Sequence, residues 1–246
     1  MAVVTGGASG IGLACVERLA ADDERAAIAI ADLQPPPDAL VAALGDRLYH
    51  AHVDVSDPDA MNVFAAEAAN TLGAPTRLVC AAGVQLKRAA AELTAAQWRR
   101  VLGVNLDGVW WACSAVGRMM IERGGGSIVA VGSISMRFGL PGRLPYVTAK
   151  AAIEGLTSTL AVEWAPHGVR VNAVAPGQIE TPLVQRGFEE GYLHRDASNA
   201  AHALGRLGTP AEVAAAIAFL LDDREAGFVT GEVLCVDGGF QRKKAL

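Results

Sequence analysis

The chain has 246 residues, enough for one large α/β unit with a substantial core. Hydrophobic residues make up 52% and charged residues 19%, and the net charge of -5 excludes a chain built to coat nucleic acid; the one short basic run, Arg242-Lys243-Lys244, reads as a solvated tail. No uncharged apolar run reaches the roughly 18–20 residues that span a bilayer, and a glycine loop at Gly6 leaves no room for a signal peptide, so the expectation is a cytoplasmic protein with no membrane or nucleic-acid partner.

Short β-branched runs alternate with Ala/Leu-rich stretches of helical period. Residues 2–5 read as a short apolar strand and residues 11–21 as the first helix. A second strand covers 27–31 and a third 48–53; between them Pro35-Pro36-Pro37 reads as a stiff loop. Asp57-Pro58 opens the next helix, because Asp caps a helix N-terminus and Pro suits the first turn. Residues 77–81 are a fourth strand, and Thr94 caps a helix that leads into a longer one through Trp110 and Met119. Residues 127–131 form a fifth strand, ended by Gly132-Ser133, and a helix follows over 146–165. A sixth strand spans 169–174, residues 177–205 show no clear period, Pro210 starts a helix to about residue 221, and 232–236 is the last strand. Strands alternating with longer helices predict a doubly wound parallel sheet of about seven strands, Rossmann-like, with helices on both faces. With no linker, repeat or low-complexity segment, residues 1–246 read as a single domain. Cys15, Cys80, Cys113 and Cys235 form no metal-ligand spacing and read as reduced thiols.

Thr5-Gly6-Gly7-Ala8-Ser9-Gly10-Ile11-Gly12 joins the first strand to the first helix. Small residues there let the backbone approach a pyrophosphate, which the free N–H groups and positive dipole end of the helix stabilise. Gly12 lets that helix pack close to the strand. A glycine cluster alone marks any tight turn; its place between strand and helix is what gives it meaning. Asp32 follows about twenty residues further on, at the end of the second strand, where the dinucleotide fold places the acid that binds the ribose hydroxyls. Its carboxylate accepts from a 2′-OH and repels a 2′-phosphate. Neither the loop nor Leu33 and Gln34 offers an Arg or Lys to reverse that, so the expected cofactor is NAD rather than NADP. A strand-end turn is the competing reading of Asp32, and the weaker one beside this loop.

Tyr146 and Lys150 stand at i and i+4 on one face of the long helix. A free Tyr hydroxyl ionises near pH 10, and bringing a phenol to neutrality takes roughly 4 kcal/mol. An ammonium about 4 Å away in a partly buried site supplies a Coulomb interaction of that order. The pair suits general acid/base work, although in isolation an amphipathic helix face explains it equally well. Other motifs coincide with it. Thr5-Gly6-(x)3-Gly10-Ile11-Gly12, Asn105, Ser133 and Tyr146-(x)3-Lys150 occur in an order and spacing that resembles the short-chain dehydrogenase/reductase family over essentially the whole chain. Val53-Asp54-Val55, Val169-Arg170-Val171-Asn172, Pro176-Gly177-Gln178-Ile179-Glu180-Thr181 and Asp237-Gly238-Gly239 are similar to it as well. The chain departs from the family at Cys80-Ala81-Ala82-Gly83, where Asn-Asn-Ala-Gly is usual, and in its short lead into the first strand.

The resemblance implies roles. Ser133 holds the substrate oxygen, Tyr146 is the acid/base, and Lys150 favours the ionised phenol and binds the nicotinamide ribose. Asn105 shapes its helix and holds a water linking Lys150 to solvent. Gly6, Ser9, Gly10, Ile11 and Gly12 form the phosphate loop. Asp32 takes the ribose and Asp54 the adenine, with Leu33 and Val55 beside them. Ala82 and Gly83 allow close backbone approach, and Pro176, Gly177, Ile179 and Thr181 lie at the carboxamide end. No metal is implied. Residues 178–205 form a substrate lid in which His194 and His202 serve packing rather than substrate contact, while Gln85, Ser135 and Met136 line the pocket by position. The implied reaction moves a hydride between NAD(H) and a small-molecule secondary alcohol or ketone such as a polyol, sugar or cyclic alcohol. Two alternatives compete: a 3-oxoacyl-thioester reductase, which Asp32 opposes, and a silent dinucleotide-binding regulator, which the complete Asn105, Ser133, Tyr146 and Lys150 set opposes. Apolar residues on more than one stripe of the two long helices imply a homotetramer or homodimer, with Phe240 as an anchor of a second contact.

Overall fold

The computed structural model describes residues 1–243; Lys244, the end of the basic run, lies outside them. In chain order the elements are β1 (Ala2–Thr5), α1 (Gly10–Asp22), β2 (Ile28–Asp32), α2 (Asp38–Leu44), β3 (Leu48–His52), α3 (Pro58–Leu72), β4 (Arg77–Cys80), α4 (Ala95–Leu102), α5 (Gly108–Arg123), β5 (Gly126–Val131), α6 (Leu144–Trp164), β6 (Val169–Pro176), α7 (Pro182–Glu189), α8 (Arg195–Ala201), α9 (Pro210–Leu221), α10 (Asp223–Ala226) and β7 (Val233–Val236). Among the described residues the strands make one seven-stranded sheet, β3-β2-β1-β4-β5-β6-β7, with every pairing parallel. β1 lies inside it, Val3 facing Ala29 of β2 on one side and Leu78 of β4 on the other. The winding reverses between β1 and β4, and a crevice opens there at the carboxyl ends of the strands.

The inner strands read as unbroken apolar runs because helices cover both faces. On one face Val3, Leu78 and Ile128 pack against Phe64 of α3, Val116 of α5 and Ile153 of α6. On the other, Val4, Ile30 and Val129 meet Val16 of α1 and Ile217 of α9. The edge strand β3 is only partly buried; its Tyr49 packs on Phe64 and donates to Glu67 at 2.6 Å. Asp57 caps α3 through the N–H groups of Asp59 and Ala60, and Thr94 forms a reciprocal capping box with Gln97 at α4. α6 starts earlier than expected because Pro145 occupies the first turn, where a missing N–H costs nothing.

Four short helices were not foreseen, among them the single turn of α10. α2 follows the proline run and buries only Leu44. α7 and α8 occupy the segment without period, where Gly187 and Gly191 interrupt any longer pattern. That segment is tied down by His202, whose Nε2 accepts from the Gln178 N–H at 3.2 Å; Nδ1 therefore carries the proton and donates to the Ser198 carbonyl at 2.8 Å. Phe240 stacks on Phe138 with centroids 5.6 Å apart and meets the edge of His202 at 5.3 Å, within one chain. No helix among the described residues is long and apolar enough to cross a membrane.

Candidate active site

Of the expected site residues, all but Gly12, Ser135 and Met136 line one cleft at the carboxyl ends of β1, β2, β4, β5 and β6. Gly6 turns the chain out of β1 at φ +68°, and a Cβ there would lie 2.6 Å from the Ala82 nitrogen. Gly12 faces away from the cleft for a packing reason: a Cβ on it would come within 2.1 Å of the Gly6 carbonyl oxygen. Ser9, Gly10 and Ile11 bring the start of α1 to the cleft, and its first turn carries no acidic residue. Past the departure at Cys80-Ala81, the loop after β4 is held by Thr5, whose carbonyl accepts from Ala81 at 3.1 Å and whose hydroxyl accepts from Ala82 at 3.4 Å.

Asp32 ends β2 with both carboxylate oxygens engaged. Oδ2 accepts from the Ala8 N–H and Oδ1 from the Gln34 N–H, each at 3.0 Å. The carboxylate thus fastens the glycine loop to the strand end while still lining the cleft. Asp54 accepts from Ser56 N–H at 2.9 Å and Ser56 hydroxyl at 2.7 Å.

Ser133, Tyr146, Lys150 and Asn105 line the same cleft. Ser133 follows β5, and its Oγ accepts from the N–H of Ser135 at 3.1 Å and from the Ser135 hydroxyl at 2.9 Å. Tyr146 and Lys150 project from α6, with the ammonium nitrogen 5.9 Å from the phenol ring centroid. Lys150 is buried and donates to the Val131 carbonyl at 2.6 Å. Burial pulls its pKa down from 10.5 to about 8. Cys80 beside it opposes that shift only if ionised, and its contact with Cys113 together with burial holds it well up as a neutral thiol, so burial dominates. Asn105 sits in a π-helical turn, Gly103–Asp107, between α4 and α5. Its Nδ2 donates to Val84 and Val101 carbonyls, both at 2.9 Å, and its fully buried Oδ1 has no hydrogen-bond partner among the described residues.

Gln85 lines the cleft as expected, but Ser135 and Met136 do not. Ser135 is buried behind Ser133, and Met136 packs against the core. Sequence reasoning missed Leu183, Val184 and Arg186 of α7, which complete one wall. The signal for them was Thr181-Pro182, a helix start: Thr181 accepts from the Val184 N–H and sets α7 across the cleft.

The glycine loop, in which side-chain atoms at Gly6 would fill the approach to Ala82, and the acid at the end of β2 fit a dinucleotide. Sheet order and loop together define a Rossmann-like α/β protein. The family described as Enoyl-(Acyl carrier protein) reductase matches residues 6–241. Short-chain reductase protein NovJ of Streptomyces niveus is 41% identical, with 97% of this chain and 93% of NovJ covered. Galactitol 2-dehydrogenase (L-tagatose-forming) of Cereibacter sphaeroides is 40% identical over 97% of this chain and 94% of its own. Cis-4-hydroxycyclohexanecarboxylate dehydrogenase of Sinomonas cyclohexanicum is 41% identical over 98% and 96%. The ligand-free structure of Thermoplasma acidophilum aldohexose dehydrogenase superposes with a TM-score of 0.89 at 32% identity, covering 100% of this chain and 95% of that one. The chain belongs to the short-chain dehydrogenase/reductase family, a family of oxidoreductases that typically use a nicotinamide dinucleotide.

Proposed function

We propose that the protein is an NAD-dependent dehydrogenase of secondary alcohols, acting on a polyol, sugar or cyclic alcohol as a cytoplasmic homotetramer or homodimer. The observation that carries this reading is the meeting of Ser133, Tyr146 and Lys150 in the cleft that the Gly6 loop and Asp32 also line. Relatives named for galactitol and for a hydroxycyclohexane acid support the substrate class. Asp32 supports NAD, since a 2′-phosphate would meet its carboxylate.

A bound nicotinamide ring supplies the hydride acceptor. The protein's own groups do the rest. Ser135 donates twice to the Ser133 oxygen, which leaves the Ser133 proton free to hold the substrate oxygen. Tyr146 takes the alcohol proton as its general base and returns one in the reverse direction. The Lys150 charge favours the phenolate, and the Val131 carbonyl fixes where that charge lies. Asn105 keeps the turn open at Val84, beside the loop that meets the cofactor. Residues 1–246 act as one cofactor-binding and catalytic domain, with 178–205 as its substrate lid.

The test is cofactor reduction across a panel of polyols, aldoses and cyclic alcohols, with NAD and NADP in parallel. Turnover with NAD is expected, and Tyr146→Phe should lower it by about 10²–10⁴-fold while NADH binding survives. Near-normal activity of Tyr146→Phe would remove Tyr146 from the chemistry.

A further inference from the structure

The rim of the cleft gathers positive charge. Lys87, in the segment after β4, and Arg143, the residue before α6, both lie over the ring of Tyr192, each 5.0 Å from its centroid. Arg143 also donates from Nη1 to Oε1 of Gln85, which lines the cleft. The backbone clamps the two cation-bearing segments together, because the N–H of Arg88 donates to the Gly142 carbonyl at 2.8 Å. Arg143 stands three residues before Tyr146, at the N-cap of the helix that carries it.

Three carboxylates of the flanking segments are engaged elsewhere. Glu92 pairs with Arg88 at 3.7 Å, Glu180 with Arg195 at 2.8 Å, and Glu189 accepts from Gln185 at 3.2 Å. Among the described residues neither Lys87 nor Arg143 has an ion-pair partner, in a chain whose net charge is -5. Two cations gathered on one aromatic ring repel each other, and the ring's negative face offsets that only in part. An anion completes the arrangement, and a planar guanidinium braced by Gln85 is shaped to grip one.

The geometry points to a substrate that carries an anionic group, a carboxylate or a phosphate, held by Arg143 and Lys87 under Tyr192 while its hydroxyl reaches Ser133 and Tyr146. This rests on the dehydrogenase reading above for the identity of the reacting end. Tyr192 belongs to the 178–205 segment, so the same contact that selects the anion holds that segment against the cleft.

The full chain, saturated with NADH so that the phosphate loop is filled, is titrated calorimetrically with cyclohexanecarboxylate, cyclohexyl phosphate and the neutral cyclohexanecarboxamide. One of the anions should bind at least about ten-fold more tightly than the amide, and less tightly as salt is added. The tighter anion identifies which group the substrate bears. Arg143→Gln and Lys87→Gln should each weaken that anion by about five-fold or more and leave the amide unchanged, while Arg143→Lys retains part of the preference. Equal affinity for anion and amide, no anion binding, or a loss at Arg143→Gln shared by the amide overturns the inference. No turnover is needed for this titration. An anion preference in a protein that reduces no cofactor contradicts the dehydrogenase reading alone; oxidation of neutral alcohols with no anion preference contradicts the anion site alone.

Discussion

Lys150 is a buried cation at the floor of the cleft, and burial penalises its charge. Its only hydrogen-bond partner among the described residues is the Val131 carbonyl. Burial brings its pKa to about 8 in the folded chain, against 10.5 for an unhindered lysine. Between those two values the unfolded chain binds more protons than the folded one, so stability rises with pH across that window. Integrated over it, the cofactor-free protein should gain about 3 kcal/mol relative to Lys150→Met on going from pH 8 to pH 10.5. Urea titrations of both proteins at each pH check this; parallel stability curves would contradict a buried, charged Lys150. The Tyr146 and Lys150 pairing was legible because i and i+4 always share a helix face. The support that Ser135 gives Ser133 was not, because a spacing of two says nothing about where a short helical turn aims a hydroxyl. Arg186 and the pairing of Lys87 with Arg143 were equally hidden, since each depends on segments far apart in the chain.

At the scale of elements, the cofactor loop and β2 act as one piece through the Ala8 N–H on Asp32. Changing Asp32 therefore frees the loop and, on the function proposed above, also removes the ribose acceptor. The double substitution Asp32→Ala with Leu33→Arg should reverse or narrow the preference between NAD and NADP, yet NADP affinity should remain below that of NAD in the parent by about ten-fold, because a backbone N–H loses its charged acceptor. Fluorescence titration with both reduced cofactors checks this, and equal binding of both by the parent protein would take the discrimination away from Asp32. Most elements could be read in advance because β1, β2, β5 and β6 are buried on both faces and so carry unbroken apolar runs. The short helices α2, α7 and α8 could not, because each runs for only seven or eight residues, too few to tell a helical period from chance.

At the scale of the whole molecule, Trp110 on α5, Val162 on α6 and Phe228 after α10 show 37%, 78% and 105% of their surface to solvent. Light scattering coupled to size exclusion should give a mass that is a multiple of the 25.4 kDa chain. Leu156→Glu or Ala152→Glu on α6 should split the assembly and reduce activity, since the same helix carries Tyr146 and Lys150. A 25.4 kDa peak at micromolar concentration overturns that expectation. The parallel sheet has a further consequence for how the protein is made. β1 is made before every other strand of the sheet, yet it is an inner strand whose second partner, β4, ends only at Cys80. Parallel neighbours cannot zip up as hairpins, so an apolar strand edge stays unpaired until β4 has been made. Translation products that stop before β4 should be sticky and short-lived, and chaperone dependence should concentrate in that early interval.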